Sequence, residues 1–251
     1  MYFFLSFVLT ALFTSLAWSS GLACIDPASG NITVFAHYYF YGTFAQDQYT
    51  RPCIDEVNRM FNKQFQVMLQ SNPPMRKVNF QLTFVESRLS DAYSFAHVNN
   101  TPLFNFIRLE KRQPDTKEIN SFAILNGNSG VFLIDNDLGT STTCAHELSH
   151  GFGLTHYENQ KGECDFRGKG VPGIMAARGC LVDAKYQYDP KVAPGLPGGS
   201  VNPIHRQVLS SDIKELKLGS LKYDISFKGY QCAPLGKADN YIYNQLGEIV
   251  L

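Results

Sequence analysis

The sequence predicts an α+β fold, because strand-like and helix-like segments follow one another along the chain. Residues 31–42 are rich in β-branched and aromatic side chains, which favours a first strand. From Ile54 to Leu69, behind Thr50 as the expected N-cap, apolar residues recur at helical spacing. From Val78 to Phe84 they alternate with polar residues, as in a strand with one buried face. Three further strands are expected, at residues 103–109, 122–125 and 131–135.

The second half of the chain is predicted to be less regular. A helix is expected to begin near residues 140–143, where hydroxyl side chains can cap its N-terminus. After His156, glycines and prolines interrupt every periodic run as far as Pro203. A long irregular stretch in a compact domain is usually functional. A short helix at 208–218 and a strand at 221–227 are expected near the end.

Composition limits the class of protein. The chain has 251 residues, 44% of them hydrophobic, which is enough for one large domain or two lobes with a core. The 22 basic and 22 acidic side chains balance, so nothing favours nucleic acid or an anionic membrane as a partner. We expect a monomer.

Residues 1–23 are predicted to be a secretory signal peptide. The segment from Tyr2 to Trp18 is almost entirely apolar, and small residues, among them Gly21 and Ala23, follow it. Cleavage is expected after Ala23, giving a secreted protein, or a periplasmic one if the source is bacterial. An uncleaved anchor is the alternative, although about 17 apolar residues are short for a membrane span.

Six cysteines lie beyond this segment, an even number that favours disulfides in an exported chain. Cys164 and Cys180 are the preferred pair, since their bond would close the loop that follows three closely spaced histidines, His146, His150 and His156. Free buried thiols that pack as small apolar side chains are the alternative.

The most informative stretch is H-E-x-x-H-x-x-G-x-x-H, from His146 to His156. In a helix with about 100° per residue, His146 and His150 lie on one face, about 6 Å apart along the axis. Two imidazoles so placed can bind one zinc ion. Glu147 lies beside them and can reach a zinc-bound water without being a ligand.

The third histidine sets a condition on the fold. If the helix continued, His156 would lie about 240° around from His150 and face away from the metal. The helix must therefore end near residues 151–153, where Gly151 and Gly153 permit a turn with positive φ. Three neutral histidines leave zinc one open position, as in catalytic sites. Glu147 is then the expected general acid/base for hydrolysis of a carbonyl compound.

This motif resembles that of the metzincin clan of zinc endopeptidases. A second hallmark of the clan is a tight turn with a methionine beneath the metal, and residues 173–176, with Met175, resemble that turn. The chain has Ala177 where astacin-like and serralysin-like members have a metal-assisting tyrosine, so it is closer to the matrixin and reprolysin style. The resemblance covers roughly residues 30–218.

The resemblance implies a domain plan. It places a catalytic domain at 24–218, with a mixed, mostly parallel twisted sheet and two long helices in an upper lobe (30–153). An irregular lower lobe (154–218) carries a C-terminal helix, and residues 219–251 form an extension packed on the domain. It also implies an edge strand that pairs with an extended peptide substrate, formed by Phe122, Ala123, Ile124 and Leu125. The segment from Met175 to Tyr188 would border the pocket for the residue after the scissile bond.

The function expected is therefore that of a secreted zinc endopeptidase. The alternatives are a non-proteolytic binding or toxin module that keeps the zinc site, and a zinc hydrolase of a non-peptide amide or glycoconjugate. Asp135 and Asp137 could also bind Ca²⁺ through their oxygens, although an ordinary acidic turn explains them equally well.

Overall fold

The structure is a computed structural model that describes residues 20–63, 65–69, 72–101, 103–112, 120–158 and 162–251. Most of the predicted signal peptide, residues 1–19, lies outside the described residues. The described ranges contain four α-helices, and none of them combines the length and the apolar composition that crossing a membrane requires. The helices are α1 (Asp47–Phe61), α2 (Leu89–Val98), α3 (Thr143–Gly151) and α4 (Ser210–Glu215).

The strands form one mixed sheet, which confirms the α+β class. They are β1 (Gly21–Ile25), β2 (Ile32–Tyr41), β3 (Phe65–Leu69), β4 (Asn72–Glu86), β5 (Phe104–Glu110), β6 (Phe122–Ala123), β7 (Ser129–Leu133), β8 (Ile225–Phe227) and β9 (Tyr230–Leu235). Their order is β6-β7-β5-β2-β1-β9-β8, and β4 also pairs with β2, with β3 paired to β4.

The prediction of a mostly parallel sheet is wrong. Only the centre is parallel, where β4 and β5 pair with β2 and β7 pairs with β5. The five other pairings are antiparallel. In three of them, β1 with β2, β3 with β4 and β8 with β9, a short connection joins the two strands and so requires this direction. The prediction of two long helices is also inexact, since α1 has 15 residues and α3 only nine.

The first helix ends earlier than its apolar pattern predicts. Phe65 and Val67 are buried and Gln66 is exposed, so the apolar residues after Phe61 follow the period of a strand, β3. Asn62 marks the end of the helix. Its side chain donates to Phe80 O and accepts from Phe80 N, each at 2.7 Å, which ties the end of α1 to β4. Helix α2 was not predicted.

The C-terminal residues are part of the sheet. Strand β9 pairs with β1, and a disulfide joins Cys24 to Cys232 where the two strands face each other. The predicted cleavage site after Ala23 lies inside β1, so cutting there would remove Gly21, Leu22 and Ala23 from a strand that is paired on both sides. The predicted strand at 221–227 is present as the shorter strand β8. The predicted helix at 208–218 is present as the shorter helix α4.

Helix α3, which carries the histidine motif, is fixed to α1. A disulfide joins Cys53 of α1 to Cys144 of α3. Glu56, only 2% exposed, accepts hydrogen bonds from Thr142 N and Ala145 N, both at 3.1 Å. A carboxylate at the N-terminal end of a helix accepts hydrogen bonds from free N–H groups and interacts favourably with the positive end of the helix dipole. Glu56 therefore positions the start of the helix that carries the histidine motif.

The prediction that a hydroxyl caps α3 is wrong. Thr142 does occupy the N-cap position, but its φ of 60° is left-handed and its side chain makes no capping bond. Its hydroxyl donates instead to Pro203 O at 2.6 Å, and so joins the start of α3 to the irregular segment. Glu56 performs the capping from another helix.

Replacing Glu56 with alanine is expected to destabilise the fold by about 2–4 kcal/mol, because two buried N–H groups lose their acceptor. Urea unfolding followed by circular dichroism measures this. Asp55→Ala, the exposed neighbour on the same helix, is the matched control and should change the free energy of unfolding by less than about 0.5 kcal/mol. Equal effects of the two variants would contradict the capping role.

Candidate metal centre

Three histidines come together at the C-terminal end of α3. His146 and His150 project from one face of the helix, as their spacing predicts, and His156 returns to meet them from the following turn. Their ring nitrogens lie within 4.8 Å of one another. Among the described residues this is the one group of His, Cys, Asp and Glu side chains that could hold a metal ion.

The chain turns back at Gly153, as required for the third histidine. Gly153 has φ +98°, and its N–H donates to His150 O at 2.9 Å, while Leu154 N donates to Ser149 O at 3.0 Å. These two bonds form a Schellman motif with a left-handed residue after the helix. A Cβ at Gly153 would lie 2.4 Å from Asn126 Oδ1, so both φ and space require glycine here.

Gly151 has a different role from the one predicted. It is the last residue of α3 and does not take positive φ. A Cβ there would lie 3.0 Å from Ser20 Oγ and 3.1 Å from Gly127 O, so this glycine allows close packing instead.

The separation of the imidazole nitrogens fits a tetrahedral metal. His156 Nε2 lies 3.1 Å from His146 Nε2 and 3.2 Å from His150 Nε2. Two nitrogens bound to one zinc ion at about 2.0–2.1 Å with tetrahedral angles lie about 3.3 Å apart. The two distances that involve His156 are therefore close to the edges of a tetrahedral metal site.

Backbone carbonyls fix the tautomer of two of these histidines. His146 Nδ1 donates to Ile174 O at 2.7 Å, and His150 Nδ1 donates to Leu154 O at 2.8 Å. With the proton on Nδ1, each ring directs a lone pair from Nε2 toward the common point. Lone pairs that converge in this way repel each other unless a cation lies between them.

The surroundings keep the imidazoles neutral, as metal ligands must be. Burial lowers the pKa of His146 well below its usual value, and the positive charge of Arg206 adds to the effect. Burial likewise lowers the pKa of His150 to about 4, and it also lowers the pKa of His156. The environment therefore favours the neutral imidazole form of all three rings.

Met175, which the resemblance places in a methionine turn, lies in a tight turn of the chain. Ala176 N donates to Gly173 O at 3.0 Å, which closes the turn, and Met175 is buried in the main core. Ile174, in the same turn, supplies the carbonyl that holds His146. The turn thus supports the first histidine directly.

Tyr157 and Asp212 support the third histidine. Tyr157 follows His156, and its N–H donates to Met175 O at 3.4 Å while its hydroxyl donates to Asp212. Asp212 also accepts from Leu209 N at 2.6 Å at the start of α4. Burial raises the pKa of Asp212 to about 6. This chain of bonds fixes the segment of His156 to both the methionine turn and α4.

A cleft of about 690 Å³ opens in front of the histidines. Phe122, Ala123 and Leu125 line one side of it, and Ala177 and Arg178 line the other. Strand β6 pairs with β7 and, within the described ranges, with no other strand, so it is an edge strand of the sheet. The predicted substrate strand is therefore an edge that borders the cleft, although only Phe122 and Ala123 of its four residues are in strand conformation, with Ile124 and Leu125 in the turn that follows.

Glu147 faces the same cleft beside the histidines. It is 9% exposed, and burial raises its pKa to about 8, while the charge of Arg206 and a hydrogen bond from the Ala123 backbone oppose the rise. Carboxyl groups with a raised pKa next to a metal site are typical of general acid/base residues.

The remaining predicted sites have mixed outcomes. Cys164 and Cys180 are joined by a disulfide that closes the loop after the motif, as predicted. The Ca²⁺ site is not supported: Asp135 Oδ2 accepts a hydrogen bond from Arg112 N at 2.6 Å, and in the described part of the chain neither Asp135 nor Asp137 belongs to a group that could hold a metal. An acidic turn accounts for both residues.

No protein-family model matches the chain, and no curated protein sequence matches it either.

Sequence reasoning missed three residues of the site. Glu56, Arg206 and Asp212 lie far from the motif in sequence and reach it only through the fold. A weak indication existed for Asp212, which falls in the first turn of the predicted last helix. Arg206 and Glu56 carry no local pattern that separates them from other charged residues.

Tyr157→Phe is expected to weaken zinc binding about tenfold, because the segment of His156 loses its link to Asp212. Competition with a fluorescent zinc chelator measures the affinity. Tyr93→Phe, which removes the hydroxyl of an exposed tyrosine outside the cleft, is the control and should leave the affinity unchanged. Unchanged affinity in Tyr157→Phe would show that the hydroxyl does not support the site.

Proposed function

We propose that this protein is a zinc-dependent endopeptidase. The observation that carries the proposal is the convergence of three neutral imidazole nitrogens beside the buried Glu147, in a cleft bordered by the edge strand β6. His146, His150 and His156 would hold the metal. Three nitrogen ligands without a thiolate leave a position open for reaction, as in catalytic zinc sites.

Zinc is the metal that best fits the donor set. Three imidazoles at tetrahedral spacing suit zinc, whereas calcium and magnesium prefer oxygen ligands. When bound, zinc supplies a Lewis acid that lowers the pKa of water and polarises a carbonyl oxygen.

Glu147 is the proposed general acid/base. Its carboxylate takes a proton from the water that attacks the scissile carbonyl and delivers that proton to the leaving amine. Burial brings the pKa of Glu147 from its usual acidic range toward neutrality, the range in which one group can accept a proton and then release it.

Strand β6 is the proposed binding edge for the substrate. Ile124 N donates to Ser129 O at 2.9 Å, toward β7, whereas the backbone of Ala123 hydrogen-bonds to Glu147 on the other side. Backbone groups alternate in direction along a strand, so the backbone of Ala123 faces away from β7, on the side of Glu147 and the cleft. A peptide that pairs with this edge would pass in front of Glu147 and the histidines.

Membership of the metzincin clan is part of the proposal. The order of motif, returning glycine turn and methionine turn supports it, as does the hydrogen bond from His146 to the carbonyl of Ile174. In this plan, residues from 30 to 153 would form the upper lobe, and those from 154 to 218 the lower lobe.

Secretion is also proposed. The three disulfides indicate an oxidising compartment, and one of them joins the two helices that carry and anchor the site. An exported chain keeps such bonds.

The test of this function is cleavage of casein by the purified protein. Activity should be lost with a zinc chelator and regained with added zinc. Glu147→Ala should lower kcat by at least about 10³-fold while the protein still binds one equivalent of zinc.

Glu215→Ala, which removes an exposed glutamate of α4, is the matched control and should retain parental activity. An active Glu147→Ala variant would falsify the proposed mechanism. If the parent binds zinc but cleaves no protein, a binding role or a non-peptide substrate takes precedence.

A further inference from the structure

Arg206 is a buried cation beside the proposed catalytic centre. It follows a short turn at Pro203–His205, and its N–H donates to Pro203 O, the same carbonyl that accepts from Thr142 at the start of α3. The residue is 4% exposed, yet it lines the cleft together with Glu147. The fold thus holds a guanidinium against the site from a segment that lies 50 residues after His156.

This guanidinium forms no ion pair with any of the described residues. Its Nε atom also has no hydrogen-bond partner among them. Burial, and then the neighbouring charge of Arg178, lower its pKa to about 10, so it remains positive at neutral pH. A buried charge without a partner is costly, and buried charges are normally paired.

The nearby carboxylates are engaged elsewhere. Glu56 accepts the two N–H groups at the start of α3, and Glu147 accepts from the Ala123 backbone. Both interact with Arg206 through charge only. The partner that would satisfy this arginine is therefore not supplied by the described chain.

Arg178 adds a second positive charge to the same side of the cleft. Its Nη1 donates to the Tyr188 hydroxyl at 3.0 Å and its Nη2 to Thr143 Oγ1 at 3.4 Å. These neutral partners orient the guanidinium, and none of the described residues forms an ion pair with it. Arg178 and Arg206 repel each other, which a bound anion would relieve.

We propose that Arg206 and Arg178 form a subsite that binds a carboxylate of the substrate next to the bond that is cleaved. This inference rests on the proposed endopeptidase function and names its substrate class, peptides with an acidic group beside the scissile bond. Arginine forks bind carboxylates through paired, charge-assisted hydrogen bonds. An uncharged isostere leaves the buried guanidinium unpaired, so the subsite discriminates strongly against it.

The test uses internally quenched peptides that are capped at both ends. Matched peptides carry Glu or Gln at each position that flanks the cleaved bond, and a further peptide places a free C-terminal carboxylate there. The parent protein should cleave the preferred Glu peptide with a kcat/KM about 10–100-fold above its Gln partner. A preference for the free terminus alone assigns the subsite to a C-terminal carboxylate, and equal rates for all peptides overturn the inference.

Variants of Arg206 and Arg178 then test whether these arginines cause the preference for Glu over Gln. Arg206→Gln should reduce the Glu-over-Gln ratio to less than about threefold, and Arg178→Gln should reduce it partly. Arg88→Gln, which removes an exposed arginine outside the cleft, should leave the ratio unchanged. If Arg206 serves only to position Glu147, Arg206→Gln lowers kcat equally for both peptides and keeps the ratio, which contradicts the subsite.

A binding measurement separates this inference from the proposed function. The zinc-loaded Glu147→Gln variant is titrated with the same labelled peptides by fluorescence anisotropy, so no cleavage is needed. Tighter binding of the Glu peptide, lost in the Glu147→Gln, Arg206→Gln double variant, supports the subsite even if the parent cleaves nothing. Equal affinity for the Glu and Gln peptides overturns it. Thermal unfolding of each variant confirms that the folded state is retained.

Discussion

The convergence of three imidazole nitrogens at one point is the constraint on which the rest of the site depends. His146 and His150 meet because they are one turn apart on α3, but His156 reaches them only because the helix ends at a left-handed glycine. At Gly153 any larger residue would meet Asn126 and would also require an unfavourable φ. A single backbone conformation thus decides whether two ligands become three.

The three ligands are held by parts of the chain that are distant in sequence. α1 fixes the start of α3 through Glu56 and the Cys53–Cys144 disulfide, and the methionine turn holds the ring of His146. α4 holds the segment of His156 through Asp212. Such support reduces the freedom of the ligands before a metal binds, and outer partners of this kind tune metal affinity. The fold therefore serves the site from both halves of the chain.

What sequence could predict here depends on how local the cause is. The helix end near Gly153, the turn with Met175 and the Cys164–Cys180 bond all follow from residues close together in the chain. The capping of α3 by Glu56 could not be predicted, since the carboxylate lies 86 residues from Thr142. The same limit explains the sheet and β3: strand pairing partners are distant, and Phe65 to Leu69 fit a helical stripe as well as a strand until β4 is placed beside them.

X-ray absorption at the zinc edge of the purified, zinc-loaded protein tests whether the three histidines bind the metal, because it reports the ligands themselves. We expect one zinc ion per chain with three imidazole nitrogens at about 2.0–2.1 Å, and one fewer imidazole in His156→Ala. A spectrum with sulfur ligands, or one that His156→Ala leaves unchanged, would show that the three histidines do not form the site.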